Sequence, residues 1–374
     1  MGIYMDNAAT TAQKPADVAE VMTKILQGEY GNPSRGAHGY SLAGFRVAEE
    51  AREQVKKLFQ ADQRYEAAFT NNATVALNEV LKGLIQAGDH VITTDWEHNS
   101  VLRPLYQLEK QGASFDVVSS EAVAGRLNYG EFVEYLRPET KAVICNHASN
   151  VTGNLLDLEW VKDFCEKHQL YLIIDASQTA GVVPIDLSDG KISAVCFTGH
   201  KSLYGPQGTG GVCLRKNLPI EPVLTGGDGM QSFSKVQPKE LPTLLEAGTL
   251  NIPGLAGLTA SIQWLQAKEA RPELGEYFYQ GLEEIAGLTI YGDFTGARVD
   301  VFSINIKDAE SAIVSDLLWE EFSIATRPGY HCAPLMHNAL GTADRGTVRI
   351  SFSNFTTKAE VDEVLAALRN LALR

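Results

Sequence analysis

Short apolar runs typical of β-strands recur through the first 215 residues, and this rhythm constrains the fold more than any other feature of the chain. Amphipathic stretches lie between the early runs, as expected when each strand is followed by a helix that covers the sheet. The alternation predicts an α/β fold whose large domain holds a mostly parallel, mixed sheet flanked by helices. The runs cover residues 66–70, 89–94, 114–120, 141–147, 170–175, 194–199 and 210–215.

Two early helices are predicted from apolar periodicity. From Ser41 to Phe59, apolar residues recur at steps of three and four, and Ser41 is the expected N-cap. A second helix is expected from Ala73 to Ile85, directly after the first strand. The turn at residues 71–74 then lies at a helix N-terminus, where backbone N–H groups can hold a phosphate.

The last third of the chain has a different rhythm. Helical segments alternate there with strand-like residues 299–306 and 346–354, and helices are expected at about 309–322 and 357–371. This pattern predicts a smaller α+β domain packed on the first. The predicted domains are a large one, residues 14–257, and a small one, residues 258–374 together with 1–13.

Composition and charge narrow the possible functions. The chain has 374 residues, 44% of them hydrophobic, which suffices for a sizeable core, and its formal net charge is −14. An acidic surface repels nucleic acid and anionic lipid, so neither partner is expected. The chain shows no secretory signal pattern and no apolar stretch of membrane-spanning length. We therefore expect a soluble, cytoplasmic protein.

One of the five cysteines stands apart from the others. An odd number in a long chain without a CxxC pair argues against disulfides and zinc, and no metal site is expected. Cys145, Cys165, Cys196 and Cys213 lie in apolar surroundings, as buried free cysteines do. Cys332 lies in a turn-rich segment with cationic neighbours, a setting that favours a nucleophilic thiolate.

Asp175 and Lys201 are expected at the same edge of the sheet. Each follows an apolar strand, and open α/β sheets bind ligands at the carboxyl ends of their strands. A lysine there can form a Schiff base with an aldehyde cofactor, and an aspartate can pair with a protonated pyridine nitrogen. Thr198 and His200 could donate to a phosphate. Taken singly, a loop-capping aspartate and a solvated lysine are the simpler interpretation, but the shared setting favours the cofactor.

The glycines that follow Lys201 do not indicate a nucleotide site. Gly205, Gly208, Gly210 and Gly211 form neither GxGxxG nor a Walker motif, and they precede a strand rather than a helix. We interpret them as a tight turn that permits close approach of the backbone. The missing GxGxxG also argues against a nicotinamide dehydrogenase.

Five motifs occur in the order typical of one family. With them the chain resembles, essentially from end to end, the class V enzymes of fold type I that depend on pyridoxal 5′-phosphate (PLP), in particular cysteine desulfurases and selenocysteine lyases. The resemblance implies the PLP-dependent transferase fold, with the active site between the two domains. The motifs are DNAATT at residues 6–11, DASQTAG at 175–181, TGHKSLYGPQGTGG at 198–211, RPGYHCAP at 327–334 and VRISF at 348–352.

The same resemblance implies which residues hold the cofactor. Lys201 would carry PLP, Asp175 would pair with its pyridine nitrogen, and Gln178 would bond its phenolic oxygen. His98 would stack on the ring. One of the implied phosphate contacts, Thr249, would reach across a dimer interface, so a homodimer is implied. The expected phosphate contacts are Ala73, Thr74, Thr198, His200 and Thr249.

Substrate binding is also implied by the resemblance. Asn150 and Arg349 resemble the groups that bind the substrate carboxylate, and Arg327 is a further candidate, since a guanidinium fork suits a carboxylate. An exposed strand arginine is the alternative interpretation of Arg349. The remaining cleft candidates are Asn7 and His38, together with Arg35, to which no role is assigned.

The segment around Cys332 resembles the RxGHHCA motif of desulfurases that pass sulfur to small scaffold or acceptor proteins. Tyr330 replaces the first histidine and Pro334 directly follows Ala333, which leaves substrate preference and acceptor open. We predict a cysteine desulfurase that converts L-cysteine to L-alanine and holds the sulfur on Cys332 as a persulfide. Its predicted proton carriers are Lys201, His98 and His331.

Several alternatives remain open at this point. A selenocysteine lyase is the nearest, because selenolate leaves more readily and need not require Cys332. Another class V aminotransferase would leave that thiol idle. A non-catalytic scaffold that binds a protein partner is the alternative from a different class, and the intact set of Lys201, Asp175, Gln178 and His98 argues against it.

Overall fold

The computed structural model describes residues 2–33, 36–268 and 274–374. The helices in these ranges are α1 (Ala16–Gln27), α2 (Gly39–Leu58), α3 (Ala73–Leu84), α4 (Asn99–Glu109), α5 (Tyr129–Glu134), α6 (Leu158–His168), α7 (Ile252–Ala267), α8 (Leu274–Glu283), α9 (Ser311–Phe322), α10 (Pro334–Ala339) and α11 (Lys358–Ala372). The strands are β1 (Ile3–Tyr4), β2 (Tyr65–Thr70), β3 (His90–Thr94), β4 (Ser114–Val118), β5 (Thr140–Asn146), β6 (Tyr171–Asp175), β7 (Ala194–Thr198), β8 (Gly210–Arg215), β9 (Leu288–Tyr291), β10 (Val301–Ile306), β11 (Ile324–Ala325), β12 (Arg327–Gly329) and β13 (Thr347–Ser351).

The large sheet has the strand order β2-β8-β7-β6-β5-β3-β4. Strands β7, β6, β5, β3 and β4 pair in parallel, whereas β8 pairs antiparallel with both β7 and β2. The apolar runs of the sequence correspond one by one to β2 through β8. The predicted mostly parallel, mixed sheet is therefore confirmed.

Helices cover both faces of this sheet, which explains why its strands are apolar throughout rather than alternating. On one face, Val55 of α2, Val161 of α6 and Leu258 of α7 share a core with Phe197 of β7. On the other face, α3 and α4 pack on the sheet around Leu77. Because the helices occupy the two faces, the loops at the ends of the strands remain available to form a site.

A second, antiparallel sheet has the order β12-β13-β10-β9. Helices α8, α9 and α11 pack on it around Phe278, Leu318 and Leu368, which gives the smaller α+β unit expected from the sequence. Strand β1 pairs in parallel with β11, so the start of the chain joins this unit. The boundary proposed at residue 257 falls inside α7, and the domain limits stay a prediction.

One predicted helix start is wrong. Helix α2 begins at Gly39, and its N-cap is His38, whose Nδ1 accepts the backbone N–H of Ser41 (3.3 Å). The Ser41 hydroxyl instead donates to the backbone oxygen of Asn32 (2.6 Å). Sequence preference assigns capping to hydroxyl and carboxylate side chains, whereas an imidazole acceptor does so here.

Candidate active site

A cavity of about 210 Å³ lies at the carboxyl ends of β5, β6 and β7. Asn146 of β5 pairs with Asp175 of β6 in the sheet register, and Lys201 follows the end of β7. The start of α3 and residues of β12 and β13 also line the cavity. It brings together the predicted residues Ala73, Thr74, His98, Asn150, Asp175, Gln178, Thr198, His200, Lys201, Arg327 and Arg349.

Asp175 and Lys201 face this cavity as an acid and an amine with shifted pKa values. Oδ1 of Asp175 accepts the N–H (2.9 Å) and the hydroxyl (2.5 Å) of Ser177. Burial raises the pKa of Asp175, and the Ser177 hydrogen bonds and the charge of Lys201 oppose that shift. Burial lowers the pKa of Lys201 to about 8, although Asp175 opposes the change. Lys201 is thus partly neutral near physiological pH, as a nucleophilic or basic lysine must be.

The N-terminus of α3 offers an anion site. Ala73 and Thr74 are the first residues of the helix, and the Asn72 side chain caps it by accepting a first-turn N–H (3.0 Å). The hydroxyl of Thr198 is buried and has no hydrogen-bond partner among the described residues. His200 lines the same cavity. Helix N–H groups, the helix dipole and a free hydroxyl suit a phosphate.

His98 is a neutral imidazole with a fixed tautomer. It caps α4 through Nδ1, which accepts the N–H of Ser100 (3.0 Å), so the ring proton lies on Nε2. Burial, followed by the positive charge of Lys201, lowers the pKa of His98 to about 4. The ring can therefore act as a hydrogen-bond donor over the whole physiological pH range.

Two arginines line the cavity in different ways. Arg349 is 1% exposed, which rules out the exposed-arginine interpretation. It donates to Oδ1 of Asp6 (2.9 Å) and to the backbone oxygen of Asn150 (3.1 Å), and its Nε has no partner within the described chain. The Arg327 side chain makes no hydrogen bond or ion pair to any described residue. Unused guanidinium N–H groups thus remain for a carboxylate.

Hydrogen bonds to backbone carbonyls hold the short segment that carries Cys332. Its thiol is exposed, whereas the other four cysteines are buried. His331 and Cys332 have φ of 47° and 58°, in the left-handed region. The His331 carbonyl accepts from Asn150 Nδ2 (2.8 Å), and the Cys332 carbonyl accepts from Asn99 N–H (2.7 Å). Cys332 is not among the residues that line the cavity, but His331, which directly precedes it, is.

A model of the Aminotransferase class-V family matches residues 3–364. The chain belongs to the class V aminotransferase family. Among curated proteins, a probable cysteine desulfurase of Methanothermobacter thermautotrophicus is 30% identical, covering 99% of this chain and 94% of that protein. A probable cysteine desulfurase of Staphylococcus aureus is 30% identical, covering 98% and 91%. The family resemblance of the sequence is therefore confirmed.

Solved structures of class V aminotransferase relatives have the same fold. The apo cysteine desulfurase of Thermococcus onnurineus superimposes with a TM-score of 0.90 at 29% identity, covering 100% of this chain and 95% of that one. The cysteine desulfurase CsdA of Escherichia coli gives a TM-score of 0.86 at 28% identity, covering 100% and 94%. Coverage of both chains is nearly complete, so both units of the fold are shared.

Some predicted site residues lie away from the cavity of this class V fold. His38 is exposed at the start of α2, and Thr249 is exposed on a loop. Asn7 is buried and donates to the backbone oxygen of Ser351 (2.9 Å), beside a second, larger cavity. Arg35 lies outside the described residues. The functional roles of these residues stay predictions.

Three residues that support the site were not identified from the sequence. Asp6 pairs with Arg349, and Ser100 contacts both His98 and Thr74 through its hydroxyl (2.9 and 2.7 Å). Asn146 also lines the cavity. Asp6 lies in the DNAATT motif, and Ser100 directly follows His98-Asn99. Their positions within or beside a predicted site motif could have indicated a supporting role.

The described residues, 2–33, 36–268 and 274–374, contain neither a metal cluster nor a membrane-spanning helix. No group of three or more His, Cys, Asp or Glu residues in these ranges is arranged to hold a metal ion. No helix in the same ranges is both long enough and apolar enough to cross a membrane.

Proposed function

We propose that this class V aminotransferase family member is a PLP-dependent cysteine desulfurase that converts L-cysteine to L-alanine. The proposal rests on an amine of lowered pKa in the cavity, Lys201, and on an exposed thiol, Cys332, that directly follows the cavity residue His331. An aminotransferase has no use for the second group. The relatives named cysteine desulfurase, which match almost the full chain, support the same assignment.

The residues around the cavity fit PLP. Asp175 can pair with the pyridine nitrogen, and Gln178 can donate to the phenolic oxygen. The first turn of α3, with the unpartnered Thr198 hydroxyl and His200, can hold the phosphate. Bound PLP would supply an electron sink for the pair released from the substrate Cα. The predicted stacking of His98 on the ring fits its position at the cavity wall.

The chain's own groups can bind the substrate and move its protons. Arg327 and Arg349 offer free N–H groups to the carboxylate, and Asn150 Oδ1 is a buried acceptor without a described partner. The neutral form of Lys201 can take the proton from Cα and return it later. Because its pKa is about 8, a larger fraction of Lys201 is neutral at physiological pH than for an ordinary lysine, although the protonated form is still the majority.

Sulfur transfer is assigned to the Cys332 thiol. The bond between substrate Cβ and sulfur breaks while a bond between that sulfur and Cys332 Sγ forms. The balance is L-cysteine plus the Cys332 thiol giving L-alanine plus the Cys332 persulfide, with no external oxidant or reductant. The persulfide sulfur on Cys332 is then available for transfer. Because Cys332 is exposed, this sulfur can be passed to a small acceptor protein.

We also propose a homodimer that works in the cytoplasm. Thr249 is exposed and accepts a hydrogen bond from Asn32 (3.4 Å) on an outer loop, which suits a role in a partner's site. The five free thiols of this chain suit a reducing compartment.

Alanine release from L-cysteine by the purified protein tests the proposal. Wild type should produce alanine, Lys201→Ala should produce none, and Cys332→Ala should lose most of the activity while retaining bound cofactor. Cys213→Ala, at a buried thiol of β8, is the matched control and should remain active. Full alanine production by Cys332→Ala would refute the assignment of that thiol.

A further inference from the structure

Four donors converge on one backbone carbonyl beside the proposed cofactor lysine. This carbonyl, that of His200, belongs to the peptide bond that joins His200 to Lys201. Its donors are the backbone N–H of Thr11 (3.1 Å), the hydroxyls of Thr10 (3.1 Å) and Thr11 (3.2 Å), and the ammonium of Lys14 (3.0 Å). A carbonyl oxygen has two lone pairs, so the four donors exceed what satisfying it requires.

Lys14 reaches this position without an ion-pair partner among the residues that the structure describes. Its Nζ donates to Thr11 Oγ1 (2.5 Å) and to the His200 oxygen. Burial alone lowers the pKa of Lys14 to about 8. Because burying an ammonium without a carboxylate costs folding free energy, the position of Lys14 calls for a reason other than stability.

Lys14 also orients the hydroxyl group of Thr11. Since Thr11 Oγ1 accepts from the ammonium, its own single hydrogen is directed to an acceptor on the other side. The carbonyl oxygens of His200 (3.2 Å) and Lys201 (3.3 Å) both lie within reach. These two carbonyls belong to the peptide units on either side of the Lys201 Cα, so Lys14 and Thr11 hold both units.

The same stretch of chain contacts the proposed carboxylate site. Asp6 forms an ion pair with Arg349 (2.9 Å), and β1, just before Asp6, pairs with β11 of the smaller unit. Residues 6–14 therefore contact a proposed substrate-binding arginine at one end and the backbone of Lys201 at the other.

We propose that Lys14 and Thr11 are positioning residues, which hold the backbone of Lys201 so that its amine stands where it can bond to the cofactor aldehyde. The inference rests on the proposed function, in which Lys201 carries PLP. A lysine amine ends a flexible four-carbon stem, so a fixed backbone narrows the space that the amine samples. Misplacement of a reacting group by about 1 Å can slow a reaction roughly a hundredfold.

The rates at which the cofactor-free protein bonds to two aldehydes test this proposal. PLP and 5′-deoxypyridoxal carry the same aldehyde, but the second lacks the phosphate, so its rate reports on the Lys201 amine alone. Lys14→Met keeps an unbranched apolar stem but removes the charge and the donors, and it should slow both reactions roughly tenfold. The visible absorbance of the lysine-bound aldehyde measures both rates, and Lys201→Ala gives the background from other lysines.

Matched variants separate positioning from stability. Because the His200 oxygen keeps three other donors, Lys14→Met should leave the free energy of unfolding nearly unchanged in denaturant titration. Lys14→Arg keeps a cationic donor and should restore most of the rate. Lys24→Met, at an exposed lysine of α1, should change neither rate.

A pair of variants at Thr11 tests the same point at the second group. Thr11→Val keeps the shape of the side chain but removes the hydroxyl between the two carbonyls, so it should slow both aldehydes. Thr11→Ser keeps the hydroxyl and should react at close to the wild-type rate.

Wild-type rates with 5′-deoxypyridoxal in both Lys14→Met and Thr11→Val would overturn the inference. Slowing of PLP alone would also overturn it, because Lys14 would then serve the phosphate. Failure of the proposed function has a different signature. A wild type that bonds PLP but releases no alanine from cysteine would refute that function and leave the positioning role intact, whereas a wild type that bonds neither aldehyde would refute both.

Discussion

At the scale of residues, the site concentrates positive charge within an acidic chain. Lys201, Arg327 and Arg349 line one cavity, although the formal net charge of the protein is −14. Asp175 and Asp6 compensate two of these cations locally, through electrostatic interaction with Lys201 and an ion pair with Arg349. The remaining positive field suits the carboxylate of an amino-acid substrate and the phosphate of the proposed cofactor.

The lowered pKa of Lys201 predicts how the cofactor-free protein takes up PLP. The neutral amine is the nucleophile, and its fraction grows as pH rises through about 8. The uptake rate, followed by the visible absorbance of lysine-bound PLP, should therefore rise between about pH 7 and 9 and level off above. Lys201→Ala should show no such absorbance. A rate that keeps rising to pH 10.5, the ordinary lysine pKa, would contradict a lowered pKa for Lys201.

The ion pair between Asp6 and Arg349 predicts a stability effect. Asp6→Ala leaves a guanidinium that is 1% exposed without its carboxylate, which should cost about 3 kcal/mol of the free energy of unfolding. Denaturant titration measures the loss, and the KM for cysteine should rise because Arg349 is no longer oriented. The control is Asp62→Ala, which removes the exposed partner of Arg64 and should change stability little. Equal effects of the two substitutions would contradict the role given to Asp6.

At the scale of elements, helix ends and strand ends supply nearly all of the site. Asp175 ends β6, Thr198 ends β7, and α3 begins with Ala73. An ion pair of Arg52 in α2 with Glu246 ties a loop to this framework through two hydrogen bonds (2.6 and 2.7 Å). The loop continues to Thr249, which we propose to serve the partner subunit.

Breaking that ion pair should release the loop. Glu246→Ala leaves the buried Arg52 with only the exposed carboxylate of Glu49 as an ion-pair partner. It also removes the acceptor of the Phe69 N–H (2.7 Å), so the free energy of unfolding should fall by about 3 kcal/mol. Hydrogen exchange at residues 246–249 should accelerate. Glu49→Ala removes the exposed partner of the same arginine and should cost much less. Unchanged exchange at 246–249 in Glu246→Ala would contradict the anchoring role.

Local patterns in the sequence predicted the elements, while pairings distant in the chain could not be predicted. The strands of the large sheet follow from apolar runs, and the helix at Ala73 follows from periodicity after a strand. The start of α2 was misplaced because His38 caps it through an imidazole. The contact of Asp6 with Arg349 joins the two ends of the chain, so no local pattern contained it.

At the scale of the whole molecule, an exposed apolar surface indicates where a second subunit would pack. The Gly248 N–H donates to the Gly227 carbonyl (2.9 Å), so the proposed inter-subunit residue Thr249 lies next to the loop that carries much of this surface. Exposed apolar side chains beside a proposed inter-subunit residue are typical of a subunit interface. They are Tyr40, Leu42 and Phe45 on α2, and Val223, Leu224, Met230, Phe233 and Val236 on the loop.

A charge placed on this surface should weaken the proposed homodimer. Phe233 is fully exposed, and Phe233→Glu should shift the protein towards monomer in sedimentation velocity and weaken cofactor retention, because Thr249 of each subunit would leave the other's site. Val133→Glu, on α5, is the matched control at another exposed apolar residue and should leave the assembly unchanged. A wild type that sediments as a monomer would contradict the homodimer.

The balance of sulfur in a single turnover tests the central claim most directly. Enzyme in excess is mixed with L-cysteine, quenched with an alkylating agent, and analysed for free alanine and for persulfide on the peptide that carries Cys332. The account predicts alanine and Cys332 persulfide in a ratio of about one to one, because one sulfur is transferred for each alanine formed. Alanine without persulfide on Cys332, or persulfide on another cysteine, would contradict it.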